Sequence, residues 1–185
     1  DGKALDGSSV SDITYAELKG RDDAEVVMEF LKHEIAGFEN AFLSDTAVQV
    51  GVRETRRIVG QYVLSEADVM NGTKFPDTIC LSSWPLEKWE DGKEPEMVLL
   101  GEGTYYGVPY RSLLPAAPRN LLVTGRAISM DHGALASARV MGVCMAEGQA
   151  AGAACALATR RGVTPSEIDA GQLQSELKKD GARLD

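Results

Sequence analysis

Apolar and polar positions recur with different periods in successive stretches of the chain, and each period predicts an element. Residues 1–13 are polar and rich in Gly and Ser, a lead-in. Between residues 14 and 35, Ala24, Val27, Leu31 and Ile35 recur three to four positions apart, with Met28 and Phe30 beside them. That spacing predicts an amphipathic helix. Thr14 followed by Glu17 has the form of a capping box, and Gly37 is a stop. Gly20 and the Arg21-Asp22-Asp23 cluster weaken the first turn, so one helix or two fit the pattern. From 47 to 64 the period drops to two: Val48, Val50, Val52, Ile58, Tyr62 and Leu64 share one parity. With so many β-branched residues, this predicts one long strand or two, bent at Gly51 or Gly60. Glu54 and Arg56 share the apolar parity, while Arg53, Thr55 and Arg57 lie on the other face. A charged pair on an inward face is costly unless it is paired or meets a ligand. A bulge that flips the parity and leaves the charges in water is the alternative.

Ser65 with Asp68 predicts a second capping box, on a short helix ending near Asn71-Gly72. Short strands follow at 78–81 and 96–100, separated by a loop over 84–95 with Trp84, Trp89 and Asp91-Gly92. The prolines at 109, 115 and 118 make the next stretch extended or turning. Residues 120–124 form a short, continuously apolar run, as in a buried strand. Gly125-Arg126 ends it, a loop covers 127–134, and a helix runs from about 135 to 161. That helix is rich in Ala and carries Gly142, Gly148 and Gly152, which suits close approach of a neighbour on one side. Met141 and Met145, one turn apart, read as core packing. Gly162 stops the helix. A turn at 165–169 and an amphipathic helix at 170–179, with Leu173 and Leu177 inward, complete the chain.

Composition narrows the class. The chain has 185 residues, 44% hydrophobic and 25% charged, which is globular and not disordered. Aromatics are only 6%, so the core rests on aliphatic residues and Ala. Nineteen basic and 28 acidic residues leave a net charge of −9, which disfavours nucleic acid and anionic membrane surfaces as partners. Glu147 and Gln149 interrupt the small-residue run, so it is not read as a membrane span. Cys80, Cys144 and Cys155 are too few and too scattered for a disulfide framework or a zinc site. The expectation is a reducing, cytoplasmic compartment and no metal.

Chemistry-bearing motifs are sparse. His33 sits among charges, whereas His132 lies in the loop between the 120–124 run and the small-residue helix, a better place for function. No nucleophile elbow, P-loop or Gly-x-Gly-x-x-Gly occurs in these residues. A strand, a loop crossing its carboxyl end and a long helix form the one arrangement with a physical use. In open α/β sheets ligands sit at that edge, and a helix amino end offers N–H groups to an anionic or carbonyl oxygen. Ser129, His132 and Ser137 lie there.

Several of these words resemble signatures of one family. They are Gly51-Val52-Arg53-Glu54-Thr55-Arg56-Arg57-Ile58-Val59-Gly60-Gln61-Tyr62 and Val108-Pro109-Tyr110-Arg111-Ser112-Leu113-Leu114-Pro115. Asn120-Leu121-Leu122-Val123-Thr124-Gly125-Arg126-Ala127-Ile128-Ser129 is similar to a last flavin-domain strand. Ser137-Ala138-Arg139-Val140-Met141 and Gly148-Gln149-Ala150-Ala151-Gly152 are similar to a closing helix. In order and spacing they resemble FAD-dependent oxidoreductases of the two-dinucleotide type, from about Thr14 to the end.

The resemblance implies an α/β chain, α+β in detail. A mixed-sheet substrate lobe over 1–118 is followed by the last strand and helix of a Rossmann-like FAD lobe over 119–162 and a helical tail over 163–185. The activity implied is hydride transfer between an organic small-molecule substrate and flavin. The family's Gly-x-Gly-x-x-Gly unit lies near the amino terminus, so this chain reads as the carboxy-terminal portion of a longer enzyme. Its partner is the missing FAD-binding half, and alone it is expected to bind FAD weakly or not at all and to be inactive. Cofactor contact carries over to Gly125, Arg126, Ser129, Ser137, Arg139, Val140 and Met141. Substrate contact carries over to Arg53, Arg56, Tyr110, Arg111 and His132, with a structural ion pair the alternative for each Arg. An uncovered Gly/Ala-rich helix would favour a homo-oligomer. The competing classes are an assembly module derived from a flavoprotein, and a hydrolase or lyase on a related scaffold.

Overall fold

A computed structural model describes residues 5–89 and 94–185; the Asp91-Gly92 step of the Trp loop lies outside them. The chain forms two compact units, residues 1–55 and 56–185. Residues from 64 to 177 contribute to one apolar core.

The first unit is built on helix α1 (Val10–Glu34). It starts four residues before Thr14 because Ser9 is the cap and accepts from Asp12 N–H. Thr14 instead donates its hydroxyl back to the Val10 carbonyl at 2.8 Å, and Glu17 accepts from Val50 N–H. The helix runs unbroken through Gly20, bridged by the i,i+4 pairs Glu17–Arg21 and Lys19–Asp23. None of its residues is fully buried, so the expected apolar stripe does not form a core.

The second unit opens with residues 56–64, where the expected long strand is absent. The stretch makes two isolated bridges only, Gly60 with Pro115 and Leu64 with Met130. Its backbone bonds are split between two segments: Gln61 donates to Leu114, whereas Ile58 and Leu64 donate to Ala127 and Ser129. Pro115 has no N–H to continue the first pairing into a ladder. Helix α2 (Glu66–Met70) forms as read, with both arms of the Ser65/Asp68 capping box in place.

Strand β1 (Thr78–Ser82) pairs antiparallel with β4 (Tyr106–Pro109), Leu81 facing Gly107. The Trp loop contains an unforeseen strand, β2 (Leu86–Lys88), antiparallel to β3 (Glu96–Val98). Among the described residues both sheets are two-stranded and antiparallel, not mixed. Residues 120–124 form no strand. Leu121 is 45% exposed, and Val123 N–H bonds the Leu113 carbonyl; an apolar run becomes a buried strand only with neighbours on both edges.

The long helix is broken in two. Asp131 caps α3 (His132–Ala138) by accepting from Ala134 N–H at 2.7 Å, so helix begins three residues early. Val140 is extended, and α4 (Met141–Arg161) departs at 93°. Along α4, Val143, Glu147, Ala150, Ala154 and Leu157 face inward. Met141 and Met145 are 82% and 75% exposed, which corrects the core reading. Among the described residues a Cβ at Gly142, Gly148 or Gly152 would meet nothing within 4 Å, so the close approach they permit is not made by those residues. Gly162, at φ 67°, ends the helix as expected. Helix α5 (Ala170–Lys179) buries Leu173 and Leu177. No single described helix is long and apolar enough to cross a membrane.

Candidate functional site

The residues expected on the cofactor side surround the corner where α3 meets α4. Before the corner the chain makes a 3₁₀ turn, Gly125–Ala127. Gly125 sits at φ 71°, where a side chain would be strained. Its N–H donates to Glu147 Oε2 at 2.7 Å, and Ile58 N–H donates to the Ala127 carbonyl at 3.0 Å. Arg126 is left exposed on the turn. The turn therefore lies against α4.

Ser129 is 1% exposed and its backbone bonds Leu64 and Ser112. Its hydroxyl and Glu147 Oε1 are the buried side-chain polar atoms without a hydrogen-bond partner among the described residues. Gly60 closes over Ser129: a Cβ there would stand 2.6 Å from Ser129 Cβ. Ser137 is fully buried, sharing a 2.8 Å bond with Tyr106 Oη and donating to the Trp84 carbonyl at 2.6 Å. That places its hydroxyl in packing between α3 and the sheets, not on a ligand surface. Arg139 is half-buried and directed at Glu87, through the carbonyl at 3.4 Å and the carboxylate at 3.7 Å. Val140 gives α4, a 21-residue helix, no side-chain cap, and Met141 and Gly142 in its first turn are exposed.

The substrate-side residues fall in both units. Arg53 belongs to the first unit and Arg56, exposed, to the second. His132 is exposed at the start of α3. Tyr110 is 2% exposed and donates to the Pro165 carbonyl at 2.9 Å; burial pushes its hydroxyl well above the usual range. Arg111 holds Asp77 with two guanidinium bonds of 2.9 and 3.1 Å and lies over the Tyr62 ring. The bonds to Asp77 raise its already high pKa. This is the ion-pair alternative, and Asp77 also accepts from Arg111 N–H at 3.0 Å. Arg111→Gln is expected to lower the urea midpoint by a shift worth about 1 kcal/mol, because the guanidinium is partly solvated.

Glu147 is the residue the sequence reading passed over. It is 0% exposed, and burial pushes its carboxyl up to about 8, with the Gly125 N–H pulling the other way. Cys80 and Cys144 lie close enough for its charge to raise them, although burial is the larger cause for both. The signal was present: Val143, Glu147, Ala150, Ala154 and Leu157 make one helical stripe. Asp131 is the second omission. Besides capping α3, it accepts from Glu66 N–H at 3.0 and 3.1 Å, which joins α2 to the corner.

An outward amino end of a long helix, flanked by a glycine turn with an exposed Arg, can receive an electron-rich or anionic group. Among the described residues no cluster of His, Cys, Asp or Glu could hold a metal ion. A family model described as FAD dependent oxidoreductase matches residues 2–177. No curated protein and no solved structure matches the chain.

Proposed function

The chain belongs to the FAD dependent oxidoreductase family, and on that premise we propose that it supplies one wall of a flavin site in an enzyme moving a hydride between an organic substrate and FAD. The observation that carries this reading is the corner itself: an uncapped α4 amino end packed beside the Gly125–Ala127 turn. Residues there fit the group. Val140, Met141 and Gly142 offer backbone N–H groups and an open glycine surface, and Arg126 offers a cation from the turn. FAD, when bound, supplies the hydride-accepting ring.

The chain's own residues hold and polarise. The α4 amino end favours a carbonyl oxygen gaining negative charge, because its N–H dipoles point outward. Arg126 can neutralise an anionic edge or phosphate. Ser129, Ser137 and Arg139 serve from behind, through the packing of the corner. His132 and Arg56, both exposed, are the substrate-side groups this reading retains. The substrate is a small organic molecule.

No dinucleotide Gly-x-Gly-x-x-Gly is present in these 185 residues, so most of the adenosine and pyrophosphate cradle comes from elsewhere. Absorbance titration with FAD should show no stoichiometric uptake by this chain and uptake by a form extended with such a unit. Stoichiometric flavin in the 185-residue chain would overturn the split-site reading. Flavin in neither form would favour the alternative, an assembly module derived from a flavoprotein, which the exposed Met141–Met145 face of α4 also suits.

A further inference from the structure

We propose that Glu147 is a positioning residue: its carboxyl group, through the Gly125 N–H, fixes the Gly125–Ala127 turn and with it the direction of Arg126. The flavin-side role of that turn rests on the proposed function, but the positioning does not. Three observations carry it. Glu147 is fully buried in the middle of a 21-residue helix, on a stripe otherwise made of Val, Ala and Leu. Its Oε2 receives the Gly125 N–H at 2.7 Å from 22 residues away. Its Oε1 has no hydrogen-bond partner among the described residues. A carboxyl in that position is kept for what it holds, since an apolar side chain would fill the stripe at less cost.

Gly125 needs the anchor. Its left-handed backbone is adopted at the exact residue where the chain turns toward α4, and the turn is otherwise closed by the Ile128 N–H to Gly125 carbonyl bond of 3.3 Å. An amide N–H buried against a helix must find an acceptor, and α4's own carbonyls are used within the helix. Glu147 is the acceptor the helix can extend to the turn.

The surroundings decide the state in which it does so. The titratable groups bearing on this carboxyl are Cys80 from β1, Cys144 from α4 and Tyr106 from β4. All three are neutral at physiological pH. Arg126, on the turn itself, is exposed to solvent, and its charge bears on Cys144. The carboxyl therefore stays protonated, bonding Gly125 through its carbonyl oxygen. Ionisation would draw it toward water and loosen the turn.

The test is amide hydrogen exchange, followed residue by residue by NMR on the full chain. In Glu147→Ala the Gly125 amide should lose protection by about tenfold, the worth of one hydrogen bond, while Ala154 amide protection stays unchanged. Glu147→Gln keeps an acceptor oxygen and should restore protection to within about threefold. In the native protein, protection at Gly125 should fall as the pH rises from about 4.5 to about 8 and level off above that, and in Glu147→Gln it should not. If Glu147→Ala does not fold, that pH contrast decides alone. Equal protection in native and Ala proteins, or the same pH profile in native and Gln proteins, would overturn the proposal. A failure of flavin to bind leaves these readouts intact and would count only against the functional reading.

Discussion

Glu147→Gln is expected to stabilise the protein at neutral pH and to leave it little changed near pH 4. Burial raises the folded carboxyl to about 8, from an ordinary value of 4.5. Below pH 4.5 both folded and unfolded states hold the proton, so the group makes stability pH-independent there. Above it, the unfolded state releases the proton while the folded state keeps it. Folding then becomes less favourable by about 1.4 kcal/mol for each pH unit, until the folded group ionises near pH 8. At pH 7 the accumulated cost is roughly 3 kcal/mol. Glutamine carries no such cost and keeps an oxygen for the Gly125 N–H. Urea unfolding of both proteins at pH 4.5, 6 and 8 checks this. The difference in unfolding free energy should widen steadily with pH. A constant difference across that range would mean that Glu147 is ionised in the folded protein.

Gly60→Ala is expected to destabilise the second unit by about 2–3 kcal/mol. The new methyl would lie 2.6 Å from Ser129 Cβ and 3.1 Å from the Leu114 carbonyl oxygen. Neither is the tip of a flexible side chain, so relief requires the backbone to move. That movement would strain the bonds from Gln61 to Leu114 and from Leu64 to Ser129, which tie residues 56–64 to the rest of the core. Thermal or urea unfolding reads the loss. Gly51→Ala is the control, since a Cβ at Gly51 meets nothing within 4 Å. Equal losses at both positions would show that the close approach at Gly60 does not govern the effect, since the entropy term of a Gly→Ala change is stabilising.

What could be read from sequence was mostly local. The Ser65/Asp68 box, the Gly162 stop and the Leu173–Leu177 pair depend on residues three or four apart, and all three are present. The failures involve partners far along the chain. Alternation over 47–64 reports an extended backbone, but whether a ladder forms depends on Leu114, Pro115, Ala127 and Ser129. The run at 120–124 is apolar enough for a buried strand and lacks neighbours on both sides. The Asp131 cap was legible as an acid before a helical run, but the density of small residues favoured a later start. The candidate site follows the same division. The Val108–Pro115 motif, read as extended or turning, spans the end of β4 and the turn after it. Which of its side chains meet Asp77 or the Pro165 carbonyl depends on sequence separations of 34 and 55 residues. Glu147 was visible as a member of an inward stripe, but it read as an interruption because a carboxylate is ordinarily solvated.

The two methionines that stand clear of the core at the start of α4 have a chemical consequence. An exposed thioether is open to peroxide, which converts it to a polar sulfoxide that reductases can reverse. At Met141 and Met145 that change would turn an apolar helix end into a hydrophilic one without disturbing Val143 or Ala150 on the buried side. The oxygen added to each peptide, read by mass spectrometry after mild peroxide treatment, would therefore report how much of this surface is covered at any moment.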